Sequence, residues 1–156
     1  MIVIKHRTTG QRLYAVEEPT LEGADLAGVH LAGADLRGMK LIGADLSAAD
    51  LTGAILDDAD LSFAALSGAR LAHASLYRAN LSHTQLFLAT LAGAILVDAN
   101  LFGADLFGAD LTNADLTRAT LIEADLADAD LTGACLSDVH DCQHTRWPET
   151  KMTSQQ

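Results

Sequence analysis

Leu101-Phe102-Gly103-Ala104-Asp105-Leu106-Phe107-Gly108-Ala109-Asp110-Leu111 returns to leucine at every fifth residue. The same spacing runs outward in both directions, giving twenty-four leucines from Leu21 to Leu136 without an exception. Alanine stands two residues before twenty of them; Pro19, Val29, Met39 and Thr84 hold the other four places. A period of five suits neither regular element. In an α-helix five residues turn about 500°, which scatters the leucines around the axis. In a straight strand an odd spacing sends successive leucines to opposite faces. The period makes sense only if the chain bends once per repeat and returns each leucine to one interior.

The repeat occupies roughly three-quarters of the 156 residues, which leaves room for one domain. Hydrophobic residues make up 49% of the chain but aromatics only 4%, so the expected core is uniform and built of small layers. No segment has the apolar length of a membrane span. The start, Met1-Ile2-Val3-Ile4-Lys5-His6-Arg7, lacks the apolar core of a signal peptide. The expectation is a cytoplasmic protein that does not enter membranes.

The net charge of −11 is uneven. Residues 21–140 hold seventeen acids and five bases, and the flanks four acids and five bases. No acid occurs between Asp60 and Asp98, where Arg70, His73, Arg78 and His83 fall. The reading predicts acidic ends around a neutral-to-basic waist. A chain this acidic is not expected to bind nucleic acid directly.

Residues 1–18 read as a hairpin, with Ile2–Arg7 and Gln11–Val16 as β-prone runs around Thr8-Thr9-Gly10. Stacked strands leave an apolar end and open edges that need a cover. The hairpin is expected to cap one end of a repeat body spanning 19–138. Residues 139–156 supply the other cap, with Thr145-Arg146-Trp147-Pro148 as its lid and a polar tail after it.

In its commonest form the repeat reads Ala-Asp-Leu-x-Gly, as in Ala24-Asp25-Leu26-Ala27-Gly28 and Ala34-Asp35-Leu36-Arg37-Gly38. The chain resembles the pentapeptide repeat proteins, whose pattern is A(D/N)LxX, and the match covers 19–138 without interruption. The hairpin and the Thr145-Arg146-Trp147-Pro148 segment resemble flanks carried by many bacterial members. The resemblance implies an all-β fold, a right-handed quadrilateral β-helix with four repeats per coil. Six coils at about 4.8 Å each then give a rod about 29 Å long. Alanine and leucine are expected inside, and the residues just before, one after and two after each leucine outside. Eleven of the twelve glycines fall two after a leucine, at the corner, while thirteen corners hold something else, including Phe63 and Leu88. This mixture predicts that a positive φ is not required at every corner.

Taken at intervals of twenty, one corner gives Asp58, Arg78, Asp98, Arg118 and Asp138, an alternating ion ladder one strand spacing apart. Arg37 and Asp57 make a similar step beside it. Surface pairs of this kind contribute about 0.2–1 kcal/mol each. Their alternation also opposes a slip of one whole repeat, which the leucines alone tolerate. The ten aspartates directly before leucines are expected to bond nearby backbone at the turns. Stacked pairs such as Asp105 and Asp125 offer too few oxygens for a dedicated calcium site. Cys135, His140, Cys142 and His144 form a weak metal candidate, because their spacing matches no familiar zinc pattern. Two cysteines are too few for a disulfide framework.

No nucleophile–base constellation, phosphate-cradling glycine loop or paired-acid signature is present, so neither catalysis nor a cofactor is expected. Phe87, Leu88, Phe102, Phe107 and Ile122 occupy outward positions, with Phe87 beneath Phe107 and Phe102 beneath Ile122. Exposed apolar clusters mark partner or dimer surfaces. Arg70, His73, Tyr77, Arg78 and His83 extend that candidate surface into the waist, where Phe63 lies beneath His83. The expected function is a non-catalytic scaffold that binds a protein partner or a second copy of itself. The resemblance implies one alternative, DNA mimicry directed at DNA gyrase with protection from quinolones or toxins. Three features oppose it: no phenylalanine at any core site, no projecting loop in the repeat, and the acid-free waist.

Overall fold

The computed structural model describes residues 1–140 and 144–149. The pentapeptide Asp45-Leu46-Ser47-Ala48-Ala49 shows how five residues make one side of a square. The Asp45 amide donates to the Ala24 carbonyl of the coil below at 2.9 Å. The Leu46 amide donates to Ala65 of the coil above at 2.7 Å, and Ala48 to Ser67 at 3.0 Å. Ala49 closes the turn by donating to the Leu46 carbonyl at 3.0 Å. The remaining amide, Ser47, donates to the Asp45 carboxylate at 2.9 Å. All five amides are thus satisfied, as a buried backbone demands.

The same exchange recurs along the chain. Parallel bridges join residues twenty apart, from Asp25 with Asp45 to Thr120 with His140. Each coil therefore contains four repeats, and the fold is a right-handed quadrilateral β-helix. All ten aspartates that precede leucines accept the amide two residues on, from Asp25 with Ala27 to Asp130 with Thr132. Asn80 and Asn100 do the same for Ser82 and Phe102.

The corners correct the sequence reading. All twenty-four, from Gly23 to Asp138, have positive φ, and the thirteen that are not glycine lie between 54° and 59°. From Gly23 to Arg118 each corner amide meets a carbonyl of the next coil, which requires the same turn at each. A left-handed residue other than glycine costs about 1–2 kcal/mol. Burying the adjacent leucine contributes about 1.5–3 kcal/mol, and each ladder bond adds about 0.5–1.5 kcal/mol. The closed coil wins this balance even at Phe63 and Leu88. Five of the thirteen are Asp58, Asp98, Asn113, Asp128 and Asp138, the residue types that visit this region most readily.

The leucines from Leu21 to Leu126 are buried almost completely, while Leu131 is 8% exposed and Leu136 is partly buried at the last coil. Thr84, in an alanine position, is fully buried and donates its hydroxyl to the Leu61 carbonyl at 3.0 Å. The interior therefore accepts this polar group without an orphaned donor. Val29 and Met39 are partly buried against the core.

The amino-terminal segment forms β1 (Ile2–His6) and β2 (Arg12–Val16), paired antiparallel with an irregularity between Ile4 and Lys5. β1 also pairs antiparallel with β3 (Ala34–Asp35) of the first coil, and the Arg7 amide donates to Gly33 at 2.8 Å. Ile4 is fully buried, with Ile2, Leu13, Tyr14 and Val16 packed beside it. At the far end Arg146 bridges Asp125 at an offset of twenty-one rather than twenty. The Thr145 hydroxyl donates to the Leu121 carbonyl at 2.5 Å, and Trp147 packs against the core.

Candidate interaction surface

Each corner presents two outward residues, those one and two after a leucine, and each side presents the residue before one. The edge following Leu61, Leu81 and Leu101 carries Phe63, His83 and Phe102. The Phe63 and His83 rings stack with centroids 5.0 Å apart, and Phe102 meets His83 edge-on at 5.1 Å. Ile122 continues this edge in the next coil. The edge following Leu86 and Leu106 carries Phe87 stacked with Phe107 at 5.8 Å, and Leu88 beside them. The Leu88 side chain lies over Gly108, where an added Cβ would meet it at 2.7 Å. Phe63 is 63% exposed, Leu88 55% and Phe87 40%, so coil-to-coil stacking leaves much of both ridges in solvent. Between the ridges runs the column Ala65, Gln85, Asp105 and Asp125, joined by bridges.

The other candidate residues lie elsewhere around the rod. Arg70 is on the next side, with its guanidinium 3.6 Å from Asp50. His73 is at a third corner, lying over Gly93. Tyr77 and Arg78 share the fourth corner. The structure thus groups His83, Phe102 and Ile122, groups Phe87, Leu88 and Phe107, and separates both groups from Arg70, His73, Tyr77 and Arg78.

On the fourth corner the alternating charges resolve into two pairs. Arg78 reaches Asp58 at 3.2 Å, and Arg118 grips Asp98 through two bonds of 2.6 and 2.7 Å. The Arg118 guanidinium holds the Asp98 carboxyl below its ordinary range. Arg37 turns to Asp35 of its own repeat at 2.6 Å rather than engaging Asp57 in a salt bridge. Asp57 instead accepts from the Ser75 hydroxyl at 2.5 Å and the Tyr77 amide at 3.2 Å. With Ser75 in the place usually taken by aspartate, the coil below supplies the carboxylate for that amide.

Ile95 belongs to a second apolar surface that the sequence reading did not single out. It is 45% exposed, in the column Ile55, Ser75, Ile95, next to the corner carrying Tyr77 and Val97. The signal was present: isoleucine stands at 55 and 95, where the repeat favours a polar residue.

Cys135 and His140 lie in different columns, continuing Asp115 and Thr120 respectively. The Cys135 thiol contacts the Thr117 and Ser137 hydroxyls at 3.3 Å each. Hydrogen bonds from Ser137 and Thr117 pull its pKa below the ordinary thiol value. Cys142, the third member of the proposed cluster, lies outside the described residues. Among the described residues no group of three or more His, Cys, Asp or Glu is placed to hold a metal ion. Two open concavities of about 370 and 360 Å³ flank Met39 where the hairpin meets the first coil. No described helix is long and apolar enough to cross a membrane.

The family model described as Pentapeptide repeats matches residues 21–58, 54–93, 85–121 and 99–138. Among solved structures, the chain is similar to HetL, a pentapeptide repeat protein involved in heterocyst differentiation regulation from the cyanobacterium Nostoc sp. strain PCC 7120. Identity is 33%, over 76% of this chain and 70% of HetL, with a TM-score of 0.36. A pentapeptide repeat protein from the Arabidopsis thaliana thylakoid lumen is 32% identical over 64% of this chain and 62% of its own, with a TM-score of 0.39. A trypsin-treated form of QnrB1, a plasmid-mediated fluoroquinolone resistance protein, is 22% identical over 82% of this chain and 79% of its own, with a TM-score of 0.46. No curated protein matches.

Proposed function

Because the chain belongs to the pentapeptide repeat family, we propose that it is a non-catalytic scaffold that binds a protein partner through side chains held on a rigid rod. The observation that carries this reading is the pair of solvent-exposed ridges, Phe63–His83–Phe102 and Phe87–Phe107 with Leu88. Their backbone positions are set by the coils above and below, so little conformational entropy remains to be lost on binding. Aromatic anchors of this kind commonly dominate interfaces. His73, Ile95, Tyr77 and Arg78 border a second face for contacts, and Arg70 lies on the side next to it. A cytoplasmic setting belongs to the proposal, and a second copy of the chain is the other partner it admits.

The test is capture of partners from native extract with the intact protein and with a Phe87→Ser/Phe107→Ser variant. The expected result is one or more partners retained by the former and lost by the latter. Identical capture by both would remove the reading. DNA mimicry is the competing proposal, favoured by the acidic repeat and opposed by the apolar ridges. Added to gyrase supercoiling reactions, with and without a quinolone, the protein is expected to change nothing. Inhibition or protection that disappears with Asp105→Asn/Asp125→Asn would replace the scaffold by mimicry.

A further inference from the structure

We propose that the side between the two ridges receives a short basic, apolar segment of another protein, with its cations over the fifth and sixth coils. The inference rests on the scaffold reading and assigns its site and the chemistry of the partner. From Phe63 to Glu123 is three coil spacings, about 14 Å, the reach of four or five extended residues. The floor beneath such a segment is low at one end and charged at the other. Ala65 and Gln85 form its first half, and Asp105 and Asp125 its second.

Apart from Arg146, the charged side chains around this strip are carboxylates. Asp105 gives one carboxylate oxygen to the Phe107 amide at 3.0 Å and keeps the second for another donor. Exposed Glu123 stands at the upper end of one ridge and exposed Asp128 at the upper end of the other. Arg146 is the one Lys or Arg among the described residues of this strip, and it pairs with Asp125. The strip therefore runs from neutral apolar to acidic over a few coils. A second copy aligned in parallel would set carboxylates against carboxylates, and a nucleic acid would set phosphates against them. A segment with apolar side chains against the ridges and lysine or arginine near Asp105, Glu123 and Asp128 meets both halves.

Two labelled probe peptides of equal length test this, one carrying leucines with arginines at one end, the other with glutamates in their place. Binding to the full chain is read by fluorescence anisotropy at low and physiological salt. The arginine probe is expected to bind at least about tenfold more tightly than the glutamate probe. Its affinity should fall several-fold as salt rises. Glu123→Gln/Asp128→Asn should weaken it about fivefold with an unchanged circular dichroism spectrum and melting point, and Phe87→Ser/Phe107→Ser should abolish it. If both probes bind equally and both are lost with the phenylalanines, the apolar surface stands and the basic partner falls. If binding ignores Phe87 and Phe107, the surface reading itself falls. Absence of binding by either probe overturns the inference. So does a dimer in sedimentation that Phe87→Ser/Phe107→Ser dissociates, because a second copy then occupies the strip.

Discussion

Replacing Ala48 with glycine should stabilise this protein, although glycine ordinarily weakens a folded chain. Ala48 sits at a corner with φ of 56° and is exposed, so its methyl group contributes little packing. Its amide bond to Ser67, 3.0 Å long, needs only the backbone and survives the change. Relief of the left-handed conformation contributes about 1–2 kcal/mol. The greater entropy of glycine in the unfolded chain takes back about 0.5–1 kcal/mol. The net gain is about 0.5–1 kcal/mol, which at this chain length raises Tm by about 1–4 °C. Thermal and urea unfolding followed by circular dichroism measure it. The reverse change at an open corner, Gly43→Ala, has φ of +64° and nothing within 4 Å of the added Cβ, so it should cost a similar amount. Gly103→Ala should cost more, because the new Cβ would lie 2.7 Å from Nδ1 of His83 and disturb the ring stack. A lower Tm for Ala48→Gly together with a higher one for Gly43→Ala would refute the left-handed corner.

Leu86→Ala, at a fully buried site, should destabilise by about 2–5 kcal/mol in urea unfolding. Leu88→Ala, at a site 55% exposed, should cost far less, and equal losses would show the inward register to be wrong. Reversing Arg78 to Asp removes its pair with Asp58, and Asp58→Arg in the same chain should restore part of the loss, more at low salt than at high. A double variant no better than the single would leave that pair without a measurable contribution. The carboxyls of Asp35, Asp45, Asp50 and Asp98 all titrate below their ordinary values in the fold, held down chiefly by Arg37, Ser47, Thr52 and Arg118 respectively. Their stabilisation is therefore present above about pH 4, the unfolded value, and is lost as pH falls through the lower folded values. Melting temperature should drop on acidification below about pH 4, and less steeply once Asp98 and Asp45 are replaced by Asn.

The period of the leucines made the solenoid legible, because no straight element brings every fifth residue to one interior. The corners were less legible. Phe63, Leu88 and Glu123 are poor left-handed residues, and local preference argued against that conformation there. Closure of the coil outweighs local preference, and such a long-range demand leaves no mark on the residue that bears it. Spacing by twenty correctly placed Phe63 beneath His83 and Phe87 beneath Phe107. It did not show that Arg37 would turn to Asp35, since the reach of a flexible side chain is settled by local geometry rather than by column. The same spacing already sets Arg70 and Phe87 in different quarters of the coil, and the structure keeps them apart.

Asn80 and Asn100 close their turns as the aspartates do, with bonds of 3.2 and 3.1 Å to the amides two residues on. A carboxylate and an amide oxygen are interchangeable at that task, yet they differ by a full unit of charge. Ten such turns carry aspartate here, out of twenty-one acidic residues in the chain. The electrostatic potential of each side can therefore be rewritten residue by residue while the backbone beneath it keeps its course. In this architecture recognition can diverge without any renegotiation of the fold.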